Sequence, residues 1–230
     1  PQDDIDAMRV GLCGHSEGGV HAVITAAGDR DVSFVVLLAS IGVPIDQITL
    51  RQREDFLRVT GLERVAHPEG GKLTAKTIEI VRQRGVTDET RAEIRALLHQ
   101  IGDHYPAAQR DALGFSDTGI NQQVAIRTSP WFIKLLAYDP AAMLAQVDCP
   151  VLALNGKKDI VVACRENLEA IHAGLTAGGN TAVTTLALPD LNHLFQHCTT
   201  GLPAEYGTIE ETMKPEVLTL VSEWILRGAQ

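Results

Sequence analysis

The chain has 230 residues, 45% of them hydrophobic and 21% charged, enough to bury a sizeable core in one large domain or in a core with a subdomain. A formal net charge of −9 with no Lys/Arg-rich run argues against nucleic acid or an anionic membrane surface as the main partner. No apolar stretch approaches ~18 residues, so no membrane span is expected.

Taken in chain order, Arg9-Val10-Gly11-Leu12-Cys13 is apolar without alternation, the pattern of a strand covered on both faces of a parallel sheet. Gly14-His15-Ser16-Glu17-Gly18-Gly19 follows and fits G-x-S-x-G. A helix is expected over 17–27, rich in small residues such as Val20, Ala22, Ala26 and Ala27, and a second buried strand over 34–39. From Ile45 to Gln146 no strand pattern occurs. Helical patterns over 50–59, 74–84 and 89–101 fill this stretch, punctuated by Gly70-Gly71, Gly85, Gly114 and Gly119. Strands resume over 151–154 and 183–188, with a helix over 165–175 between them. The last helix, over 215–227, places Val217, Leu220, Val221, Trp224 and Ile225 on one face and opens with Pro215. This alternation predicts an α/β fold with a mostly parallel sheet flanked by helices. Residues 1–44 and 147–230 form its core, and 45–146 a helical insertion.

The G-x-S-x-G segment has a mechanical rationale. A strand must turn sharply into a helix, holding Ser16 strained with its hydroxyl exposed, and side chains on the flanking glycines would collide with the neighbouring strand and helix. The backbone N–H of Glu17, at the helix N-terminus, is placed to stabilise an oxyanion. A serine hydroxyl needs a base. Among the eight histidines, His193 lies in Pro189-Asp190-Leu191-Asn192-His193-Leu194-Phe195, directly after the last strand, where α/β sites collect functional groups. Asp159, after the strand 151–154, is at the same sheet edge and is the expected acid that orients His193. Asp190 competes for that role, but it shares a loop with His193 and reads better as a turn residue.

The order Ser, Asp, His is that of α/β-hydrolases. His197, four residues beyond His193, would complete an H-x-x-x-H metal pair only on a shared helical face, and no H-E-x-x-H pattern accompanies it. No metal is therefore expected. His15, His21, His67, His99, His104 and His172 lack comparable context and read as surface or packing residues. His15, beside the nucleophile, is also a candidate for contacting substrate. Cys13, Cys149, Cys164 and Cys198 form no C-x-x-C pair and read as small buried hydrophobes in a reducing compartment, pointing to the cytoplasm.

The segments 9–19 and 149–159 resemble bacterial α/β-hydrolases of the dienelactone-hydrolase and prolyl-oligopeptidase-like esterase group. Leu188 to His197 and Glu205-Tyr206-Gly207 extend the match, and Ser129-Pro130-Trp131-Phe132 with Tyr138-Asp139-Pro140 resemble that group's passage from cap back to core. The resemblance implies esterase activity on small acyl esters, no cofactor and a helical cap over the site. Trp131 and Phe132 are then candidates for lining the substrate, with cap packing the equal alternative. Peptide or amide cleavage by the same triad, or a non-catalytic binding role, are the competing functions.

One departure from the group stands out. About half of its sheet precedes the nucleophile turn, whereas Ser16 is almost at the start here. The chain opens without Met and without an apolar signal segment. The Gly-rich loop that donates a second oxyanion N–H is also missing from the sequence. The fold is thus expected to be a partial α/β-hydrolase fold. Its strand 9–13 would be an open edge prone to pairing with another chain, so association with a second copy or with a missing N-terminal segment is expected.

Overall fold

The computed structural model describes residue 6, residues 9–63 and residues 69–228. It divides into two compact units, one of Pro1–Pro44 with Asp139–Gln230 and one of Ile45–Tyr138. His67 lies outside the described residues.

The first unit is built on four parallel strands, β1 (Leu12–His15), β2 (Val35–Leu38), β3 (Val151–Gly156) and β4 (Val183–Leu188), in the spatial order β1-β2-β3-β4. Leu12 pairs with Val35, Val35 with Val151, and Val151 with Val183, so the strands start in register. Sequence pattern predicts all four to be covered on both faces. Only β2 and β3 are; β1 and β4 are the outer strands and are partly exposed, with Leu186 39% accessible. The first strand also begins three residues later than its apolar run suggests: Val10 is exposed, and although Ser33 N–H donates to Val10 O, regular pairing with β2 begins at Leu12, whose N–H donates to Phe34 O.

Helices cover both faces of this sheet. On one, α1 (Glu17–Gly28), α8 (Pro140–Leu144) and α9 (Cys164–Ala177) bury Val23, Leu144, Ile171 and Leu175 against Val35, Leu37, Val151 and Ala153. On the other, α10 (Pro215–Gly228) lays Val217, Leu220, Val221, Trp224 and Ile225 over Val36, Leu38, Leu152 and Leu154, and Trp224 meets Phe34 edge-on. Alternate residues of each central strand thus point to opposite faces, as the pleat requires. Leu144 is fully buried in the first of these cores. The sheet-bearing unit therefore resumes at Asp139, earlier than the boundary at 147 expected from sequence, because α8 packs with the sheet.

The second unit comprises α2 (Ile45–Thr60), α3 (Gly70–Arg84), α4 (Asp88–Gly102), α5 (Ala107–Arg110), α6 (Asp117–Arg127) and α7 (Pro130–Ala137). Among the described residues it contains no strand. Ile94, Leu98, Ile101 and Ile120 form its fully buried core. Thr87 opens α4 with a reciprocal capping box to Thr90, and Ser116 and Ser129 cap α6 and α7.

Among the described residues no helix is long and apolar enough to cross a membrane. Of the four cysteines, Cys164 and Cys198 are buried as expected, Cys149 is half-buried, and Cys13, within β1, is exposed.

Candidate active site

The carboxyl ends of β1, β3 and β4 carry the three candidate residues. Ser16 follows β1 with φ 54° and ψ −120°. That left-handed φ is costly for a residue with a Cβ and persists only where the surroundings enforce it. Ser16 N–H donates to Leu38 O at 2.8 Å, which ties the turn to β2, and Ser16 O accepts from Gly19 N–H at 3.0 Å as the helix begins. Ser16 sits at the cap position of α1 without using its side chain to cap it, so the hydroxyl is left for other work. Glu17 N–H is in the first turn of α1, where backbone donors have no partner within the helix.

The glycines of this turn are not equivalent. A Cβ on Gly14 would lie 2.2 Å from Gly18 O, and one on Gly19 would lie 2.1 Å from Ser40 Oγ. A Cβ on Gly18 would meet nothing within 4 Å, so the collision expected at that position does not occur among the described residues.

Asp159 is buried in the turn after β3. Its Oδ1 accepts Val161 N–H at 2.8 Å and Val162 N–H at 2.9 Å, and its Oδ2 lies 2.7 Å from His193 Nδ1. The two backbone donors hold the carboxylate in place and offset the cost of burying it. With the carboxylate as acceptor, His193 Nδ1 carries the hydrogen, and neutral His193 presents its lone pair at Nε2. Both side chains are almost fully buried. The negative charge of Asp159 adds to burial in raising two nearby acids, the Tyr206 hydroxyl and the Cys164 thiol, the latter to about 11. Asp190 takes no part. It turns the chain at φ 60°, stays exposed, and pairs with Lys158 Nζ at 3.0 Å, which holds its carboxyl below the usual range.

His193 follows β4, two strands further from β1 than β2 is, and the loop must return across the sheet. Three strand spacings amount to about 14 Å, while residues 189–193 reach roughly 17 Å at full extension. The loop crosses directly over the end of β3. A Cβ on Gly156 would lie 2.2 Å from Leu191 O and 2.7 Å from Asn192 O. Lys158 N–H donates to Leu191 O, and Lys158 Nζ donates to Cys198 O at 3.0 Å. The loop is shaped from inside by Asn192, which is completely buried. Its Oδ1 accepts Leu194 N–H and Gln196 N–H, and its Nδ2 donates to Gln196 Oε1. Phe195, at φ 59°, fills the core beneath. Asn192, Gln196, Gly156 and Lys158 were not singled out by sequence.

His15 Nε2 lies 2.8 Å from His193 O, and the two imidazoles are 4.8 Å apart. The loop bearing His193 is thereby joined to the residue beside Ser16. No hydrogen bond joins Ser16 Oγ to His193 Nε2, a link that often forms only with substrate present. Trp131 and Phe132 both belong to α7, where Phe132 is buried and Trp131 is 46% exposed. His197 is exposed, and Leu191 bridges to it in antiparallel fashion, so His193 and His197 share no helical face. Among the described residues no cluster of His, Cys, Asp or Glu is suited to a metal.

A strand, a strained serine, a helix, then an acid and a histidine after later strands of the same parallel sheet is the arrangement of the α/β-hydrolase type. No family model matches the chain, and no curated protein does. Similar solved structures include DcsB in complex with its substrate analogue (18% identity, TM-score 0.46) and a serine hydrolase involved in carbazole degradation (17%, 0.43). An esterase from a Rhodococcus species is also similar (17%, 0.39). The matches cover 97%, 97% and 95% of this chain, which spans 66%, 65% and 66% of theirs, less than two thirds of each.

Proposed function

We propose that this chain carries the nucleophile, acid and base of a serine hydrolase that cleaves carboxylic esters of small acyl groups. The observation that carries the reading is the buried Asp159–His193 hydrogen bond at 2.7 Å, in a loop joined through His15 to the strained Ser16 turn.

The chemistry follows from the tautomer. His193 Nε2 takes the Ser16 hydroxyl proton as Oγ attacks the ester carbonyl, and Asp159 stabilises the imidazolium that forms. Glu17 N–H donates to the carbonyl oxygen as it gains charge. The C–O bond to the alcohol breaks, His193 returns the proton to the departing alkoxide, and the acyl group remains on Ser16. A water then repeats the sequence, with His193 as base, and releases the acid. No cofactor is required by these steps.

The helical unit 45–138 selects the acyl group, with Trp131 and Phe132 as candidate substrate contacts. A second oxyanion donor comes from outside the described residues, through a second copy or a further segment pairing along β1. A strictly monomeric mass in solution would count against the second copy.

The test is a fluorophosphonate probe with intact-mass measurement on the chain and on Ser16→Ala. A single adduct on the parent that vanishes in the variant supports the proposal, and short-chain aryl esters are then the first substrates. Equal labelling of both, or none on folded protein, would overturn it for this chain.

A further inference from the structure

His15 closes β1 and directly precedes Ser16. Its Nε2 is 2.8 Å from the main-chain oxygen of His193, and its ring is tilted 51° against the His193 ring. The ring also meets Phe195 edge-on at 6.4 Å. A carbonyl oxygen has no hydrogen to give, so His15 Nε2 is the donor and keeps its hydrogen whatever the state of Nδ1. That nitrogen is therefore occupied within the protein.

The loop bearing His193 is held at several points. Asp159 fixes the imidazole through Nδ1, the Asn192 hydrogen bonds fix the loop's own shape, and Lys158 ties it to the turn after β3. None of these bonds reaches the Ser16 turn. Among the described residues, the His15–His193 hydrogen bond is the one hydrogen bond that joins that turn to residues 189–198, across a separation of 178 residues.

We infer that His15 is a positioning residue, not a substrate contact: its Nε2–H holds the His193 main chain and so sets the distance between Ser16 Oγ and His193 Nε2. This rests on the hydrolase proposal for its catalytic meaning, though the hydrogen bond itself can be tested apart from it. A misplacement of about 1 Å between reacting groups costs on the order of 100-fold in rate, so one such bond has leverage.

Ring packing and hydrogen bonding are separable by substitution. His15→Phe keeps a ring but loses the donor, whereas His15→Gln loses the ring but keeps an N–H at a similar reach. His15→Asn is too short to span the gap. With histidines labelled by nitrogen-15, the hydrogen shared by His193 Nδ1 and Asp159 gives a far-downfield resonance. It should be sharp in the parent and in His15→Gln, and broadened by solvent exchange in His15→Phe and His15→Asn. Fluorophosphonate labelling should fall by about 100-fold in Phe and Asn and recover to within a few-fold of the parent in Gln.

A sharp resonance and parental labelling in His15→Phe would overturn the inference. So would equal losses in Phe and Gln, which would assign the effect to the ring. Should His15→Phe fail to fold, the comparison of Asn with Gln decides the question in the same way. A parent that does not label would sink the hydrolase proposal, while the resonances would still decide whether His15 holds the loop.

Discussion

The carbonyl oxygen of Gly18 lies where a Cβ on Gly14 would be, 2.2 Å away, with the Gly18 carbonyl carbon at 2.3 Å and Gly19 N at 2.5 Å behind it. All are backbone atoms of α1 and cannot rotate aside. Gly14→Ala is expected to displace the helix from β1 and to cost about 2 kcal/mol or more. Gly18→Ala, with open space around its Cβ, should be neutral or stabilising by up to about 1 kcal/mol as a helical glycine is replaced. Denaturant midpoints of the two variants check this, and equal costs would contradict it.

Asp159→Asn offers a cleaner probe of the acid than removal would. The amide oxygen can still accept Val161 N–H and Val162 N–H, so the turn after β3 should survive. Its NH2 would then face His193 Nδ1 and force that nitrogen to be the acceptor, moving the hydrogen to Nε2. Labelling of Ser16 should fall by on the order of 10⁴-fold with an unchanged circular dichroism spectrum. A loss below tenfold would mean that Asp159 does not govern the tautomer.

Asn192→Ala removes the acceptor for a buried and a half-buried backbone donor, and the donor to Gln196 Oε1. Unsatisfied groups of this kind cost ~1–3 kcal/mol each, and the loop is expected to lose its shape before the sheet unfolds. Hydrogen exchange at Leu194 and Gln196 should accelerate well beyond exchange in β2 and β3. Uniform acceleration would indicate that the loop and sheet open together.

Burial and the Asp159 charge raise the Cys164 thiol from its ordinary 9.0 to about 11. The unfolded chain therefore releases this proton at a lower pH than the folded one. The contribution is fully present below pH 9.0 and is lost as pH rises toward about 11. The raised Tyr206 hydroxyl acts in the same direction. Stability measured across that window should decline less steeply in Cys164→Ala than in the parent. An identical slope would show that other groups control alkaline unfolding.

The central strands were legible because β2 and β3 are continuous runs of Val, Leu and Ala, a pattern that needs cover on both faces. Their neighbours β1 and β4 carry similar residues, yet whether a strand is outermost depends on the rest of the sheet and not on its own composition. Asp159 could be preferred to Asp190 from position alone, since one follows a strand and the other shares the histidine's loop. The short helices α5, α7 and α8 were harder. Ser129-Pro130 and Asp139-Pro140 do mark helix starts, each a cap followed by Pro at the first position, but the segments behind them are too brief to show a period. The shape of residues 189–198 was out of reach. It depends on Asn192 bonding to its own loop and on Phe195 at a positive φ, and neither has a periodic signature. The His15 contact joins residues 178 apart, beyond any local pattern.

The order of strands across the sheet is also their order along the chain. Each newly made strand of these four can therefore add beside the one before it, with no gap among them to be filled later. Of the three candidate residues, Ser16 is made ahead of Asp159, and His193 follows the last of the four strands. On the proposed mechanism, Ser16 has no base to activate it until that fourth strand has been laid down.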